Sequence, residues 1–299
     1  MIPLRMPVTT CSTSKSDYTK ISDSGRSFFN AELRPFSHTF SSDMPRLLFT
    51  CAYDGASYRG WQSQRGGETI QDIIEAAMER ILRAPVRIAA SGRTDAGVHA
   101  HAQVFHADIP ETCRMSPENW VAALNAHLPS SIRILEARVV AGEFHARFDA
   151  VGKVYEYLIC REPVLSPFLS GRVWHVPHAF SEESLEEALQ VYVGTHDFRR
   201  FAASRGNEPV PPPPGFYERT IYSATMKREG KGLLCLRFHG NGFMYRMVRM
   251  LVGTAHQVAR ARMSAAELAD MLVQLDAPKT RYCAPAEGLY LKHVFYSEP

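Results

Sequence analysis

The chain has 299 residues, 45% of them hydrophobic and 22% charged, with a formal net charge of +3. It is long enough to bury a full core as one large domain or two modest ones, and no apolar run approaches the ~20 residues of a membrane helix. The small excess of base is compatible with a nucleic-acid partner without demanding one, and six scattered cysteines without a C-x-x-C pair speak for reduced thiols in the cytoplasm rather than a disulfide framework or thiolate zinc site.

Residues 1–45 are rich in Ser and Thr and lack helical or strand periodicity; they are expected to form a disordered extension. Asp17, Asp23, Glu32 and Asp43 do not suit a transit peptide, and Met44-Pro45 stands directly before the first strand, as an over-extended gene start would leave it. Leu47 to Tyr53 reads as that strand, closed by the turn pair Asp54-Gly55. Thr69 opens a helix with Asp72 three residues later, and Ile70, Ile73, Ile74, Ala77, Met78, Ile81 and Leu82 form its apolar stripe up to Pro85. Strands are predicted near 86–91 and 102–108, a helix after Ser116-Pro117, and strands near 132–140 and 153–160.

The second half has the same style. Ser181 begins a helix carrying Leu185, Ala188, Leu189 and Tyr192, which Gly194 stops. A loop from Arg205 to Gly215 contains the run Pro211–Pro214, read as a stiff surface connection rather than a docking peptide. Strands near 219–228 and 232–239 meet at Gly230 to Gly232, Phe243 to Ala259 forms the strongest helix, Ser264 and Glu267 cap another, and Leu289–Tyr296 is a closing strand. Strand pairs and helices without strict βαβ alternation predict an α+β fold of two similar halves, each an antiparallel or mixed sheet with helices on one face. The halves divide as 46–150 and 151–299.

The stretch most suggestive of chemistry is Ser91-Gly92-Arg93-Thr94-Asp95-Ala96-Gly97-Val98-His99-Ala100. Glycines on both sides of Asp95 permit a tight turn between two strands, so the carboxylate projects from a loop tip. An Asp in such a turn is more often a turn former than a catalyst; Arg93, two residues away with apolar flanks, alters that balance.

Gly92 to Ala100 resembles the signature loop of the TruA family of pseudouridine synthases, and further stretches resemble that family in the same order. These are Tyr53-Asp54-Gly55 with Tyr58-Arg59-Gly60-Trp61-Gln62, Ala123 to Pro129, Phe144-His145-Ala146-Arg147-Phe148, Lys153-Val154-Tyr155-Glu156-Tyr157, Gly194 to Phe198, Phe243 to Gly253 and Ala284 to Leu291. The likeness runs from about residue 46 to the end of the chain. The N-terminal extension and the long, proline-rich loop from Arg205 to Glu218 depart from it.

The resemblance implies a pseudouridine-synthase fold with a central cleft. It implies an isomerase, needing no cofactor or metal, that acts as a homodimer on tRNA at positions 38 to 40 of the anticodon stem-loop, with neither DNA nor a membrane as partner. Asp95 becomes the catalytic carboxylate, nucleophile or base. Arg249 offsets its desolvation, Tyr155 stacks on the uracil or also helps to remove its C5 proton, and Arg93 holds the target base out of its helix. Tyr157 shares the strand face of Tyr155 and fits a core aromatic as well, and Arg246 serves as a solvated counterpart of Arg249. Arg59, Arg65, Arg147, Arg199, Arg200 and Arg205 are candidates for phosphate contacts. A rival reading as a metal-dependent hydrolase rests on His99, His101, His106 and Asp108. On a strand His99 and His101 share a face that His106 does not, and H-E-x-x-H is absent.

Overall fold

The computed structural model describes residues 45–206, 208–230 and 232–297; the extension expected at 1–45 lies outside them but for its last residue. β1 (Arg46–Tyr53) is flanked by β3 (His99–Asp108) and β4 (Ile132–Val140), both antiparallel to it. Phe49, Cys51 and Tyr53 alternate along β1 and are buried, and Phe49 meets the Trp120 ring edge-on at 6.2 Å. That contact brings α2 (Pro117–His127) onto the face where α1 (Ile70–Leu82) also packs. Both helices start as their sequences predict, with Thr69 and Ser116 accepting from backbone N–H groups of the first turn. α1 ends at Leu82, before Pro85, because Arg83 turns left-handed at φ 55° and closes onto the Glu79 carbonyl.

The C-terminal half contributes β5 (Ala150–Cys160), β6 (Trp174–His175), β7 (Gly194–Asp197), β8 (Glu218–Arg228), β9 (Leu233–Gly240) and β10 (Leu289–Tyr296). α3 (Glu182–Val191), α4 (Met247–Ala259) and α5 (Ala265–Val273) pack together against them. The sheets of the two halves join in one mixed sheet of order β4-β1-β3-β10-β5-β9-β8-β7, with β2 (Ile88–Ala90) added to β3 and β6 to β5. β10 makes the junction: it is antiparallel to β5 and parallel to the start of β3, through Tyr290 beside His99 and Leu291 beside Ala100. β2 pairs with Phe105 to Ala107, farther along the same edge of β3. The loop from β2 to β3, which carries Asp95, therefore lies over the seam between the halves.

Three boundaries differ from the sequence reading for identifiable reasons. The helix expected from Phe243 starts only at Met247, because Arg246 is left-handed at φ 59° and Tyr245 gives its carbonyl to the Ala203 N–H. β3 starts at His99 rather than near 102, with a bulge opposite Cys51–Tyr53 that the alternation pattern hides. Gly194 does more than stop α3: at φ 118° it turns the chain into β7.

Candidate active site

The Asp95 loop is held by partners distant in sequence. Lys153 Nζ donates to the Ser91 carbonyl at 2.6 Å, Gln103 Nε2 to that of Gly92 at 2.9 Å, and the Trp61 N–H to that of Thr94 at 3.1 Å. Val98 N–H closes the turn on the Asp95 carbonyl at 3.1 Å, and the Tyr53 and Thr94 hydroxyls share a buried hydrogen bond of 2.8 Å. Gly60, at φ 89°, passes so close that a Cβ there would lie 2.7 Å from the Thr94 oxygen and 3.0 Å from the Asp95 carbonyl carbon. No side chain fits between those two backbones.

Arg249 stands in the first turn of α4 and donates Nη1–H to Asp95 Oδ2 at 2.9 Å. The side chains of the pair are only 14% and 17% exposed. Arg249 Nε is fixed by the Ala284 carbonyl at 2.8 Å, and the Ala284 N–H returns to the Arg249 carbonyl, so the guanidinium is oriented before any substrate arrives. A cation in this turn opposes the helix dipole; the carboxylate partner supplies the compensation. Arg246 is exposed and lies over the Tyr245 ring instead.

Tyr155 and Tyr157 are both buried but differ in their contacts. Tyr157 is fully buried and donates its hydroxyl to the Pro285 carbonyl at 2.8 Å, as a core tyrosine does. Tyr155 meets Phe243 edge-to-face at 5.2 Å. Burial, and then the nearby charge of Asp95, raise its phenol above the ordinary value, so the ring is a neutral apolar surface beside the carboxylate.

Arg93 is exposed at the loop tip. Partial desolvation, followed by the charges of Arg205 and Arg147, lowers its guanidinium from the ordinary value. Those three come from separate segments and have no ion-pair partner among the described residues. Arg205 lies over the Tyr245 ring at 4.5 Å, and Arg147 beside Phe148, which is 72% exposed. Three of the other candidate phosphate contacts are engaged elsewhere: Arg59 pairs with Glu68, Arg199 with Asp197, and Arg200 holds the Pro278 and Gln274 carbonyls. Of the histidines of the rival metal reading, His99 and His106 have backbone partners and His101 stacks on the Tyr290 ring at 5.2 Å. His99 Nδ1 accepts from the Gly55 N–H and its Nε2 lies 3.0 Å from the Gly171 carbonyl, while His106 Nδ1 accepts from the Ala146 N–H.

Sequence reasoning did not single out Lys153 or Phe243. Lys153 was visible as the first residue of the motif that contains Tyr155, but its bond to Ser91 spans 62 positions, which no local pattern reports.

A family model described as tRNA pseudouridine synthase matches residues 50–149 and 188–297; Arg93, Asp95 and Arg249 fall inside these ranges, and Lys153 and Tyr155 between them. The tRNA pseudouridine synthase A of Akkermansia muciniphila is 49% identical over 256 residues, 85% of this chain and 96% of its own length. The proteins of that name from Methylacidiphilum infernorum and Lacticaseibacillus casei are 39% and 38% identical, over 83% and 85% of this chain and 94% and 100% of theirs.

Proposed function

Since the chain belongs to the tRNA pseudouridine synthase family, we propose that it works on the anticodon stem-loop, at positions 38 to 40, with Asp95 as its catalytic carboxylate. The reaction converts uridine in tRNA to pseudouridine without a cofactor. The C1′–N1 bond of the nucleotide breaks, the uracil turns, its C5 joins C1′ with loss of the C5 proton, and the freed N1 takes up a proton. An ionised carboxylate beside the ribose serves either by attacking C1′ or by removing a ribose proton. The observation that carries the assignment is the half-buried Asp95–Arg249 pair at 2.9 Å on the seam between the halves. Arg249 supplies the counter-charge that a desolvated carboxylate needs.

Tyr155 stacks on the uracil in this reading. Burial, and then the charge of Asp95, raise its phenol above the ordinary value, and the neutral ring offers an apolar face for stacking. Extruding the uridine costs a few kcal/mol; Arg93, at the loop tip, fills the vacated place or grips the displaced backbone. Arg147 and Arg205 hold the neighbouring phosphates.

The enzyme is a homodimer of the cytoplasm in the same reading. Among the described residues no helix is long and apolar enough to cross a membrane, and Cys51, Cys113, Cys160, Cys235 and Cys283 are free thiols. A net charge of +3 is a weak grip for one subunit on a polyanion, and pairing doubles the basic surface. Tritium release from C5-labelled uridine in an unmodified anticodon stem-loop tests the activity. Loss of release when positions 38 to 40 are replaced by cytidine tests the position. Light scattering is expected to give about twice the 33.6 kDa of one chain; a monomer fully active at nanomolar concentration overturns the dimer.

A further inference from the structure

We propose that Lys153 is a positioning residue of the isomerisation: by holding the Ser91 carbonyl, its ammonium sets the Asp95 loop in register with the strand that carries Tyr155. The inference rests on the reading of Asp95 as the catalytic carboxylate.

The two groups of the reaction centre come from different halves of the chain. Asp95 stands on the β2–β3 loop, and Tyr155 in the middle of β5. Beside the loop, β2 pairs with Phe105 to Ala107 of β3 and β10 with His99 and Ala100, and Ser91 closes on the Val104 carbonyl between them. Lys153 reaches the loop at this point. It lies two residues before Tyr155, so both side chains leave β5 on the same face, and its Nζ reaches the Ser91 carbonyl at 2.6 Å. Gly92 accommodates the approach: a Cβ there would stand 2.8 Å from Nζ, with no other heavy atom within 4 Å.

The contact is specific in its chemistry. Ser91 N–H is already paired with the Val104 carbonyl, Ser91 Oγ with Gln103 Oε1, and the Gly92 carbonyl with Gln103 Nε2. Those bonds tie the loop to its own half. Lys153 ties the same segment to β5. No carboxylate pairs with Lys153 among the described residues. Burial, and then Arg147, bring its ammonium down to about 8. An ion pair worth its own desolvation is therefore not the reason for a lysine here. A charged donor to one carbonyl gives a short, directional link, and that link fixes the spacing between Asp95 and Tyr155.

The test uses the full-length enzyme, single-turnover tritium release from a C5-labelled stem-loop, and filter binding of the same RNA. Lys153→Met, of nearly equal length without the ammonium, is expected to slow the saturated rate on the order of 10²-fold, the loss that misplacement by about 1 Å brings. RNA affinity should stay within about threefold, and Lys153→Arg should recover at least a tenth of the rate. Gly92→Ala pushes Nζ off the carbonyl and should slow the native enzyme by about tenfold or more, yet add nothing in a Lys153→Ala background. That non-additivity reads the contact itself, and it remains readable if one single variant folds poorly. A Lys153→Met rate within threefold of native, a fall in affinity as large as the fall in rate, or additive effects of the two substitutions overturns the proposal. Native enzyme that releases no tritium would instead fail the functional reading on which the proposal rests.

Discussion

Two loops that bring Arg93 and Arg205 near each other are built in opposite ways. The Asp95 loop, residues 91–98, gives its Ser91, Gly92 and Thr94 carbonyls to side chains or backbone 62, 11 and 33 positions away, in three different segments. The loop at 203–217 bonds largely within itself. Glu208 accepts from Ser204 Oγ and from the Arg205 and Gly206 N–H groups, Phe216 N–H returns to Pro213 and Glu218 N–H to Gly215. The glycines carry the same contrast. Gly60 is pressed against the Asp95 loop, whereas a Cβ on Gly206 or Gly215 would meet nothing within 4 Å. This contrast fits the proposed roles: a carboxylate that must meet C1′ needs long-range contacts, whereas an arginine that meets a diffuse phosphate backbone needs only a local scaffold.

The contrast predicts a gradient of effects. Asp95→Asn keeps the shape of the side chain and removes nucleophile and base together, so tritium release is expected to fall by at least about 10³-fold while RNA affinity stays within about threefold. Turnover within tenfold of native would remove Asp95 from the chemistry. Arg249→Met leaves a largely buried carboxylate without the cation that offsets its desolvation. A loss of rate on the order of 10²-fold is expected. Should affinity fall and the saturated rate persist, Arg249 belongs to RNA binding.

Gly60 and Gly206 set the two loops side by side in one experiment. Both have positive φ, 89° and 79°, so alanine at either position carries the left-handed penalty of roughly 1–2 kcal/mol. At Gly60 the new methyl group also enters the Asp95 loop, so stability should fall further and the saturated rate by about tenfold. At Gly206 a smaller loss of stability and a rate within twofold are expected. Equal rates for the two variants would mean that long-range packing of the Asp95 loop does not govern catalysis.

How much of this was legible in the sequence follows the same division. The Gly92–Gly97 turn, the caps at Thr69, Ser116 and Ser264, and the closing strand Leu289–Tyr296 are local patterns, and the structure shows them where they were expected. The pairing of Arg249 with Asp95, 154 positions apart, entered only through family resemblance, since a helix pattern alone fits a solvated arginine equally well. The late start of α4 was hidden because apolar spacing continues through Phe243 and Met244, while the left-handed backbone at Arg246 leaves no mark in hydrophobicity. The fusion of both halves by β10 is likewise a matter of pairing, which periodicity within a strand does not encode.

The smallest predicted effect belongs to Arg205. Its guanidinium lies over Tyr245 at 4.5 Å and near enough to Arg93 to lower that residue's pKa. Two like charges without an ion-pair partner among the described residues are unfavourable in the free protein and become favourable when a phosphate sits between them. Arg205→Ala should therefore weaken stem-loop binding by about threefold at moderate salt and reduce the slope of log affinity against log salt by about one. The rate at saturating RNA should stay within twofold, because among the described residues the Asp95 loop takes none of its backbone hydrogen bonds from the 203–217 segment. Arg147→Ala, made on the other neighbour of Arg93, should give a similar reduction in slope. An unchanged salt slope for Arg205→Ala, measured from about 50 to 200 mM, would show that this guanidinium meets no phosphate and that the proline-rich loop does not take part in binding.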